Sequence, residues 1–566
     1  MGKASSKKWW KESVVYQIYP RSFKDSNGDG VGDLRGIISK LDYLKSLNID
    51  VLWLNPIYRS PNDDNGYDIS DYRAIMEEFG NMADFDALLK GVHERGIKLI
   101  MDLVVNHSSD EHEWFKRSRS SRDDAFRDYY HWWPAEKGTP PKRWSYFDLE
   151  DNAWQYDETT DAYYLHYFSV KQPDLKWENP ELRRAVYDMM HFWFQKGIDG
   201  FRMDVIPFIS KDTAYPELPE SYKGDFIAYY ANGPRLHEFL QEMNREVLSK
   251  YDIMTVGEAP GVTLEQALNF VDEDRKELDM FFHFDLLALD REPGEVFKMR
   301  KDQWKLTEFK QIHSRWDAVF KDKGWGSIFL CNHDFPRSVS RWGNDSPRYW
   351  HNSATMLQTF SLSMRGTPFF YQGEEIGMTN IRFDAIEDYR DINTLNAYHK
   401  AAHRCDDLKA FLENEKDASR DNARTPMQWD TSENAGFTNG TPWIKVNTNF
   451  KEGINVAEQD KDQNSVLNYF RKMTQVRKTH EGLIYGSYEL VEEGHEEIYA
   501  YTRIWGEERY VVLLSFSENQ VTFPLHTLSH KKGTLLISND EAPQNLPDDK
   551  ITLHPYQAAI YRFTPK

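Results

Sequence analysis

Residues 98–107 read KLIMDLVVNH, an apolar run that ends in Asn106 and His107. An apolar run without polar alternation is typical of a strand buried on both faces, as in a parallel sheet. Amphipathic helical stretches separate several runs of this type, which together number eight. The alternation predicts an α/β fold, a (β/α)8 or TIM barrel. The other seven runs lie at residues 14–20, 51–57, 200–206, 253–258, 278–285, 327–334 and 367–372.

The stretches between the runs carry helix signals. Apolar residues repeat at helical spacing from Leu34 to Leu47, and residues 178–196 and 234–250 form further candidates. Gly197 stands where a glycine is expected to end a helix.

Two regions lack the alternation of apolar strands and amphipathic helices. Residues 108–177 are rich in Trp, Tyr and charged residues, which predicts a subdomain inserted after strand three. Residues 379–447 are expected to be irregular, with long loops. From residue 485 the pattern changes to alternating strands. We therefore predict a catalytic barrel of residues 1–107 and 178–484, an inserted subdomain of residues 108–177 and an all-β C-terminal domain, a β-sandwich, of residues 485–566.

The composition excludes several classes of protein. The chain has 566 residues, 2 Cys, and 70 Lys+Arg against 91 Asp+Glu, a net charge of −21. A disulfide scaffold needs many cysteines in a short chain, and a nucleic-acid binder normally shows a basic excess. The chain has neither an apolar run long enough for a membrane helix nor an apolar secretory signal. We expect a cytoplasmic protein that is a monomer or weak homodimer and binds neither nucleic acid nor membranes.

Polar residues cluster where the predicted strands end, and in a barrel these ends converge on the face that carries the active site. A single Asp there is more often the cap of the next helix. Four such segments in order on successive strands are hard to explain as caps. They are Asp102 to His107, Arg202 to Asp204, Gly257-Glu258 and Asn332-His333-Asp334.

These segments resemble, in order, the four signature regions of the α-amylase family of glycoside hydrolases. The resemblance covers nearly the whole chain. Within the family it is closest to the group of oligo-1,6-glucosidases, dextran glucosidases and sucrose isomerases. The stretches that carry this likeness are NGYDI at 65–69, QPDL at 172–175, GEEIGMTN at 373–380 and RDNARTP at 420–426.

The resemblance implies cleavage with retention, which needs two carboxyl groups about 5–5.5 Å apart. It makes Asp204 the nucleophile, Glu258 the acid/base and Asp334 the group that stabilises the transition state. Arg202 lies on the same strand face as Asp204, so we expect its charge to lower the pKa of Asp204 and keep it ionised. Glu258 needs a raised pKa to hold its proton near neutrality.

The resemblance also implies a pocket closed at one end, which removal of single glucose units requires. Asp64 and Arg420 match a pair that grips the far hydroxyl of the non-reducing sugar, and Tyr67 would stack under that sugar. The remaining residues expected around it are His107, Phe168, Gln172 and His333.

Residues 25–33 read DSNGDGVGD, an oxygen-rich loop that suits a hard cation such as calcium. Its twelfth position is Gly36 instead of the Glu that an EF-hand requires, so it is not an EF-hand. The resemblance implies a structural calcium, with magnesium as a substitute, and no organic cofactor. A loop of Asx turns without metal is the alternative. The implied ligands are the side chains of Asp25, Asn27, Asp29 and Asp33 and the carbonyl of Val31.

Val205 follows the implied nucleophile, and in this group Val at that position accompanies α-1,6 preference. We therefore predict a retaining, exo-acting α-glucosidase. It would hydrolyse terminal α-1,6-linked glucose from isomaltose and isomaltooligosaccharides, which are small neutral substrates, through a covalent glucosyl-enzyme.

Two departures leave alternatives open. Asn393 stands where the group usually has Glu, and residues 288–292, ALDRE, match only the middle of a product-directing RLDRD motif of sucrose isomerases. A sucrose-active α-glucosidase, or a sucrose isomerase or transglucosylase, is the main alternative. A catalytically inactive barrel that serves as a binding subunit is a remote one, because Asp204, Glu258 and Asp334 are all present.

Overall fold

The computed structural model describes residues 7–147, 153–224, 226–292, 298–300, 302–525 and 533–563. Its central element is an eight-stranded parallel sheet whose neighbours follow chain order from β1 to β6, with β8 beside β1 and β7 beside β8. Ser327 Oγ at the start of β7 donates to the Phe281 carbonyl of β6 at 2.8 Å, so the sheet curls into a barrel. The predicted TIM barrel is confirmed. Strands β1 to β8 are Val15–Ile18, Val51–Leu54, Lys98–Leu103, Gly200–Met203, Met254–Glu258, Met280–Phe282, Ser327–Ile328 and Thr367–Tyr371.

Successive strand residues face opposite sides of the sheet, and both sides are buried. Val51 and Ile100 belong to one apolar cluster, while their neighbours Leu52 and Leu99 belong to another. Burial on both faces explains why the strands show no polar alternation. Arg202 is the exception in β4, a cation buried among apolar strands.

Helices surround the barrel. The predicted helix of residues 34–47 is divided at Lys40, whereas Pro180–Lys196 begins at an Asn179 cap and ends at Gly197 with φ of 108°, as predicted. No helix of the described ranges is both long and apolar enough to cross a membrane. The α-helices of the described residues are Trp9–Glu12, Leu34–Ser39, Leu41–Ser46, Met82–Glu94, Glu113–Ser118, Pro180–Lys196, Phe226–Tyr230, Leu236–Glu246, Ala267–Val271, Leu306–Phe320, Ser338–Trp342, Trp350–Ser363, Ile392–Arg404, Leu408–Ala418, Asp421–Arg424, Val456–Gln459, Val466–Thr479 and Glu481–Tyr485.

The stretch 379–447 is more regular than we expected. It contains the helices Ile392–Arg404 and Leu408–Ala418 beside the expected loops. The side chains of Asp391 and Asp407 accept hydrogen bonds from backbone N–H groups at the two helix starts, which is the cap that favours helix formation.

Between β3 and β4 the chain forms a three-stranded antiparallel sheet of Trp132–Pro134, Ala162–Leu165 and Trp154–Asp157. Buried Lys211 holds this insertion to the barrel, because its Nζ donates to Asn106 Oδ1 at 2.8 Å and lies 3.3 Å from Asp174 Oδ2.

The C-terminal part of the chain is all-β, as predicted. A five-stranded sheet faces a two-stranded one across an apolar cluster. The residue limits assigned to the three domains stay a prediction. The five strands, in sheet order, are Ser487–Val491, Ile498–Trp505, Glu508–Ser515, Ala558–Phe563 and Thr534–Ser538, and the pair is Val521–Pro524 with Lys550–Leu553.

Candidate active site

One buried guanidinium joins the ends of three neighbouring strands. Arg202 Nη1 lies 2.5 Å from Asp102 Oδ1 of β3 and 2.6 Å from Asp204 Oδ1, and Nη2 lies 2.8 Å from Glu258 Oε2 of β5. The parallel register places Asp102 and Val256 opposite Arg202, so the three carboxyl groups converge on it. A shared cation holds Asp204 and Glu258 close together, as retention requires.

Burial dominates the ionisation of these carboxyl groups. It raises the pKa of Asp204 to about 7, although Arg202 acts in the opposite direction. The expectation that Arg202 would hold this pKa below its ordinary value is therefore wrong. Burial also raises the pKa of Glu258 to about 8, in the expected direction. Asp204 thus loses its proton before Glu258 does.

Val205 has a strained backbone. Its φ of 33° and ψ of 42° lie in the left-handed region, which a β-branched residue rarely adopts. Its N–H donates to Glu258 Oε2 at 3.0 Å, and its side chain lines the cavity above. Strain of this kind costs about 1–3 kcal/mol and persists where the surrounding structure fixes it.

Two arginines meet the third carboxylate. Arg424 Nη2 and Arg420 Nη1 lie 3.0 and 3.1 Å from Asp334 Oδ1, and His333 Nε2 lies 3.0 Å from Oδ2. Burial alone would raise the pKa of Asp334, but His333, Arg420 and Arg424 hold it well below its ordinary range. Asp334 is therefore ionised. Sequence reasoning missed Arg424, although its position four residues after Arg420 in RDNAR is a usable signal.

Asp64 lies in the cavity wall and contacts both Arg420 and Gln172. Arg420 Nη2 lies 3.4 Å from Asp64 Oδ1, and Gln172 Nε2 donates to Oδ2 at 3.2 Å. Tyr67 stacks on His333 with ring centroids 5.2 Å apart and planes 7° apart. Asp64 and Arg420, the pair predicted to bind the far hydroxyl of the sugar, are thus brought together with Tyr67.

The segment that carries Arg420 and Arg424 is held to the barrel by a second buried arginine. Arg337 donates through its guanidinium to the carbonyl oxygens of Gln372 at 2.5 Å and Ala423 at 2.8 Å. Because Gln372 directly follows β8, these bonds fix the segment at the C-terminal end of the barrel.

The cavity together with its opening to solvent spans about 940 Å³. Nine predicted residues line it: Asp64, Tyr67, His107, Phe168, Asp204, Val205, Glu258, Asp334 and Arg420. The other three lie behind this lining with almost no exposed surface, namely Gln172, Arg202 and His333. Lining residues that sequence reasoning did not place there include Phe284, Phe335, Asp391 and Glu415.

Two histidines near the reacting carboxyl groups are buried, and of these His107 lines the cavity whereas His333 lies behind it. Burial lowers the pKa of His107 to about 3 and that of His333 to about 4. A neutral imidazole has one donor and one acceptor nitrogen, which matches a hydroxyl group.

The two departures from the family pattern, Asn393 and the segment 288–292, occupy different environments. Asp290 forms two 2.6 Å hydrogen bonds with the guanidinium of Arg341 and belongs to the protein framework. Arg291 and Asn393 line the cavity itself.

The oxygen-rich loop folds as a series of Asx turns. Asp25 accepts from the N–H groups of Asn27, Gly28 and Gly30, and Asp33 accepts from Gly36 N as the cap of helix Leu34–Ser39. The donor set suits a hard cation chemically. In the described residues, however, no group of three or more His, Cys, Asp or Glu side chains is placed to hold a metal ion.

Comparison with known proteins agrees with this geometry. Residues 17–486 match the family model for the α-amylase catalytic domain. The chain belongs to the α-amylase family. As a member of this family it is a glycoside hydrolase. Residues 488–560 match the model for the maltogenic amylase C-terminal domain, in the all-β region.

Relatives match over the full length. An oligo-1,6-glucosidase of Parageobacillus thermoglucosidasius is 56% identical over 563 residues, 98% of this chain and 99% of that protein. One of Bacillus cereus is 53% identical over 560 residues, with the same shares. Among solved structures, the isomaltulose synthase SmuA from Protaminobacter rubrum has a TM-score of 0.95 and 45% identity, covering 99% of this chain and 100% of that one.

Proposed function

We propose that this α-amylase family member is a retaining, exo-acting α-glucosidase that hydrolyses terminal α-1,6-linked glucose from isomaltose and isomaltooligosaccharides. The observation that carries this proposal is the guanidinium of Arg202, which joins Asp204 to Glu258 at the base of a cavity closed by Asp64 and Arg420. The names of the two oligo-1,6-glucosidases support the bond preference.

The hydrogen bonds assign an atom to each step. Arg202 occupies Asp204 Oδ1, which leaves Oδ2 to attack the anomeric carbon. Arg202 and Val205 N–H occupy Glu258 Oε2, so Oε1 carries the proton that passes to the glycosidic oxygen as its bond to carbon breaks. The resulting glucosyl ester at Asp204 is cleaved when Glu258 takes a proton from an attacking water, which restores the starting configuration. The ionised Asp334 stabilises the positive charge that develops on the sugar in both steps.

Two pocket features support the exo mode. We place the non-reducing glucose between the Asp64–Arg420 pair, whose side chains lie 3.4 Å apart, and the paired carboxyl groups. Tyr67, stacked on His333, offers a ring face at this end. Neutral sugars suit the site, since an anionic sugar would meet the carboxylates already there.

Sucrose isomerisation or transglucosylation is the second candidate. The likeness to isomaltulose synthase SmuA and the presence of Arg291 in the cavity support it. The chemistry up to the glucosyl ester is the same. The outcomes differ in whether water or a sugar hydroxyl attacks that ester.

Product chromatography separates these candidates. The enzyme is incubated in parallel with isomaltose, maltose, trehalose and sucrose. The proposal predicts glucose as the product and isomaltose as the best substrate of the four. Formation of isomaltulose or trehalulose from sucrose as the main activity would overturn it.

We also propose that calcium binds at the loop after β1 in a structural role, with the ligands Asp25, Asn27, Asp29, Asp33 and the Val31 carbonyl. The carboxylate and amide oxygens of the loop suit calcium. The resemblance to the α-amylase family also implies a structural calcium ion at this loop. Bound calcium would cross-link the loop, and the reaction steps above do not use it. A cytoplasmic location and a monomeric or weakly dimeric state complete the proposal.

A further inference from the structure

The closest carboxylate to Arg420 is one that the proposed reaction steps do not use, Asp391. Arg420 Nε and Nη2 donate to Asp391 Oδ1 at 2.9 and 2.5 Å. The contacts of Arg420 with Asp334 and Asp64 are longer, at 3.1 and 3.4 Å. Asp391 borders the cavity, yet its side chain is 0% exposed, whereas that of Arg420 is 14% exposed. Arg420 can therefore donate to a ligand in the cavity, and Asp391 acts through it.

The two chain segments that carry these residues are joined in both directions. Asp421 Oδ2 accepts from the N–H groups of Arg390 and Asp391 at 2.7 and 2.9 Å, so the residue after Arg420 fixes the backbone at Asp391. The side chain of Asp391 in turn holds the guanidinium of Arg420. Because each segment supplies the carboxylate that binds the other, neither can shift without breaking strong, charge-assisted hydrogen bonds.

The charge of Asp391 and the shape of a guanidinium give this contact a directing effect. Burial alone would raise the pKa of Asp391, but Arg420 and Arg424 hold it below its ordinary value, so Asp391 is ionised. A guanidinium presents its N–H donors in one rigid plane. Fixing Nε and Nη2 of Arg420 on Asp391 therefore fixes the direction of Nη1, the nitrogen that lies 3.1 Å from Asp334 Oδ1.

We propose that Asp391 is a positioning residue, which orients Arg420 toward the far hydroxyl of the non-reducing glucose and does not touch the sugar itself. That hydroxyl is O4, which lies across the ring from the anomeric carbon. The inference rests on the proposed α-glucosidase function, with Arg420 as the group that binds O4, and adds the residue that aims Arg420.

The test uses two substrates that differ by one hydroxyl group. 4-Nitrophenyl α-D-glucopyranoside carries O4, and its 4-deoxy analogue lacks it. Asp391→Asn removes the charge but keeps a residue type that caps a helix, here Ile392–Arg404. In this variant kcat/KM for the parent glucoside should fall about 10-fold or more, the usual cost of a lost charged hydrogen bond. For the 4-deoxy analogue it should change by no more than about 2-fold, because the affected contact is already absent.

Asp407→Asn is the matched control. Asp407 is exposed and caps the next helix, Leu408–Ala418, by accepting from the N–H groups of Lys409 and Ala410. The substitution therefore makes the same chemical change at the same kind of helix position, away from Arg420. It should change kcat/KM for neither substrate.

Each outcome has a defined meaning. Equal falls for both substrates would show that Asp391 only supports the structure, and an unchanged kcat/KM for the parent glucoside would show that Arg420 is aimed without it; either result overturns the proposal. If Asp391→Asn does not fold, Asp391→Glu supplies the same comparison, because its carboxylate displaces the guanidinium by one methylene group. A wild type that cleaves both substrates equally well would exclude the contact with O4 and overturn the proposal as well. A wild type that releases no 4-nitrophenol from the parent glucoside would overturn the proposed function itself, which differs from equal falls in an active enzyme.

Discussion

At the residue scale, Arg202 sets the chemistry of the site. Among the described residues it is the one cation that touches Asp102, Asp204 and Glu258, so one positive charge faces three carboxyl groups in a buried place. Three negative charges there would repel one another, and burial penalises each of them. A proton is therefore retained among them near neutrality, which is what an acid catalyst needs.

Asp204→Asn removes the proposed nucleophile. We expect kcat on isomaltose to fall by about 10,000-fold or more, because the amide cannot form the glucosyl ester. The melting temperature should stay close to wild type, since the amide oxygen can still accept from Arg202. The control is Asp279→Asn, a carboxyl group bonded to Thr255 at the other end of the barrel, which should retain activity. Substantial hydrolysis by Asp204→Asn would refute the assignment.

Val205→Thr tests the basis of bond preference. Thr keeps the branched shape and so tolerates the same backbone conformation equally well, but it places a hydroxyl in the cavity wall. We expect the ratio of kcat/KM for maltose to that for isomaltose to rise by about 10-fold. An unchanged ratio would remove Val205 from the specificity argument.

At the element scale, two segments on the C-terminal face of the barrel have different roles. The segment 420–425 carries Arg420 and Arg424 and is tied down by Arg337. The loop 25–33 holds itself together by Asx turns, and Thr438 Oγ1 also donates to Asp25. We propose that the segment 420–425 positions charge for the reaction, whereas the loop 25–33 affects stability.

Chelation tests the metal assignment of the loop 25–33. If calcium binds there, a chelator should lower the melting temperature of the wild type by about 3 °C or more, because metal binding stabilises the folded state. The variant Asp29→Ala should melt at the same temperature with and without chelator. Asp42→Ala removes an exposed carboxylate on the helix Leu41–Ser46, and the melting temperature of this variant should respond to the chelator as that of the wild type does. Unchanged wild-type melting and no calcium by elemental analysis would count against the site.

At the scale of the whole molecule, the barrel brings residues that are far apart in the chain to one face. Apolar runs predicted all eight strands, because strands buried on both faces leave a strong pattern. The ends of those runs predicted a cluster of polar residues on one face, and the resemblance to the α-amylase family identified Asp204 and Glu258 as the reacting pair among them.

Contacts across long loops were not predictable in the same way. Arg424 and Asp391 approach Asp334 and Arg420 through segments whose folding depends on buried groups such as Arg337. Glu415 is the one buried residue of the helix Leu408–Ala418, so no buried apolar stripe predicted its position. The sequence also did not predict that the pKa of Asp204 is raised, because it shows the nearby cation but not the depth of burial.

The pH dependence of activity follows from the whole site. Asp204, with a pKa of about 7, must be deprotonated to attack, so activity should fall as pH decreases below 7. Glu258, with a pKa of about 8, must be protonated, so activity should fall as pH rises above 8. We expect a bell-shaped profile of kcat/KM for isomaltose with its maximum between these values. A flat profile up to pH 9.5 would contradict the assignment of Glu258 as the acid.

In the proposed exo mode, a pocket closed by Asp64 and Arg420 also fixes the order in which products depart. The shortened chain lies nearer the opening and leaves first, which admits water to the ester. Glucose is released last, through the same opening by which the next substrate enters. The enzyme therefore cannot slide along a chain between cuts, and free glucose competes directly with substrate for the empty pocket.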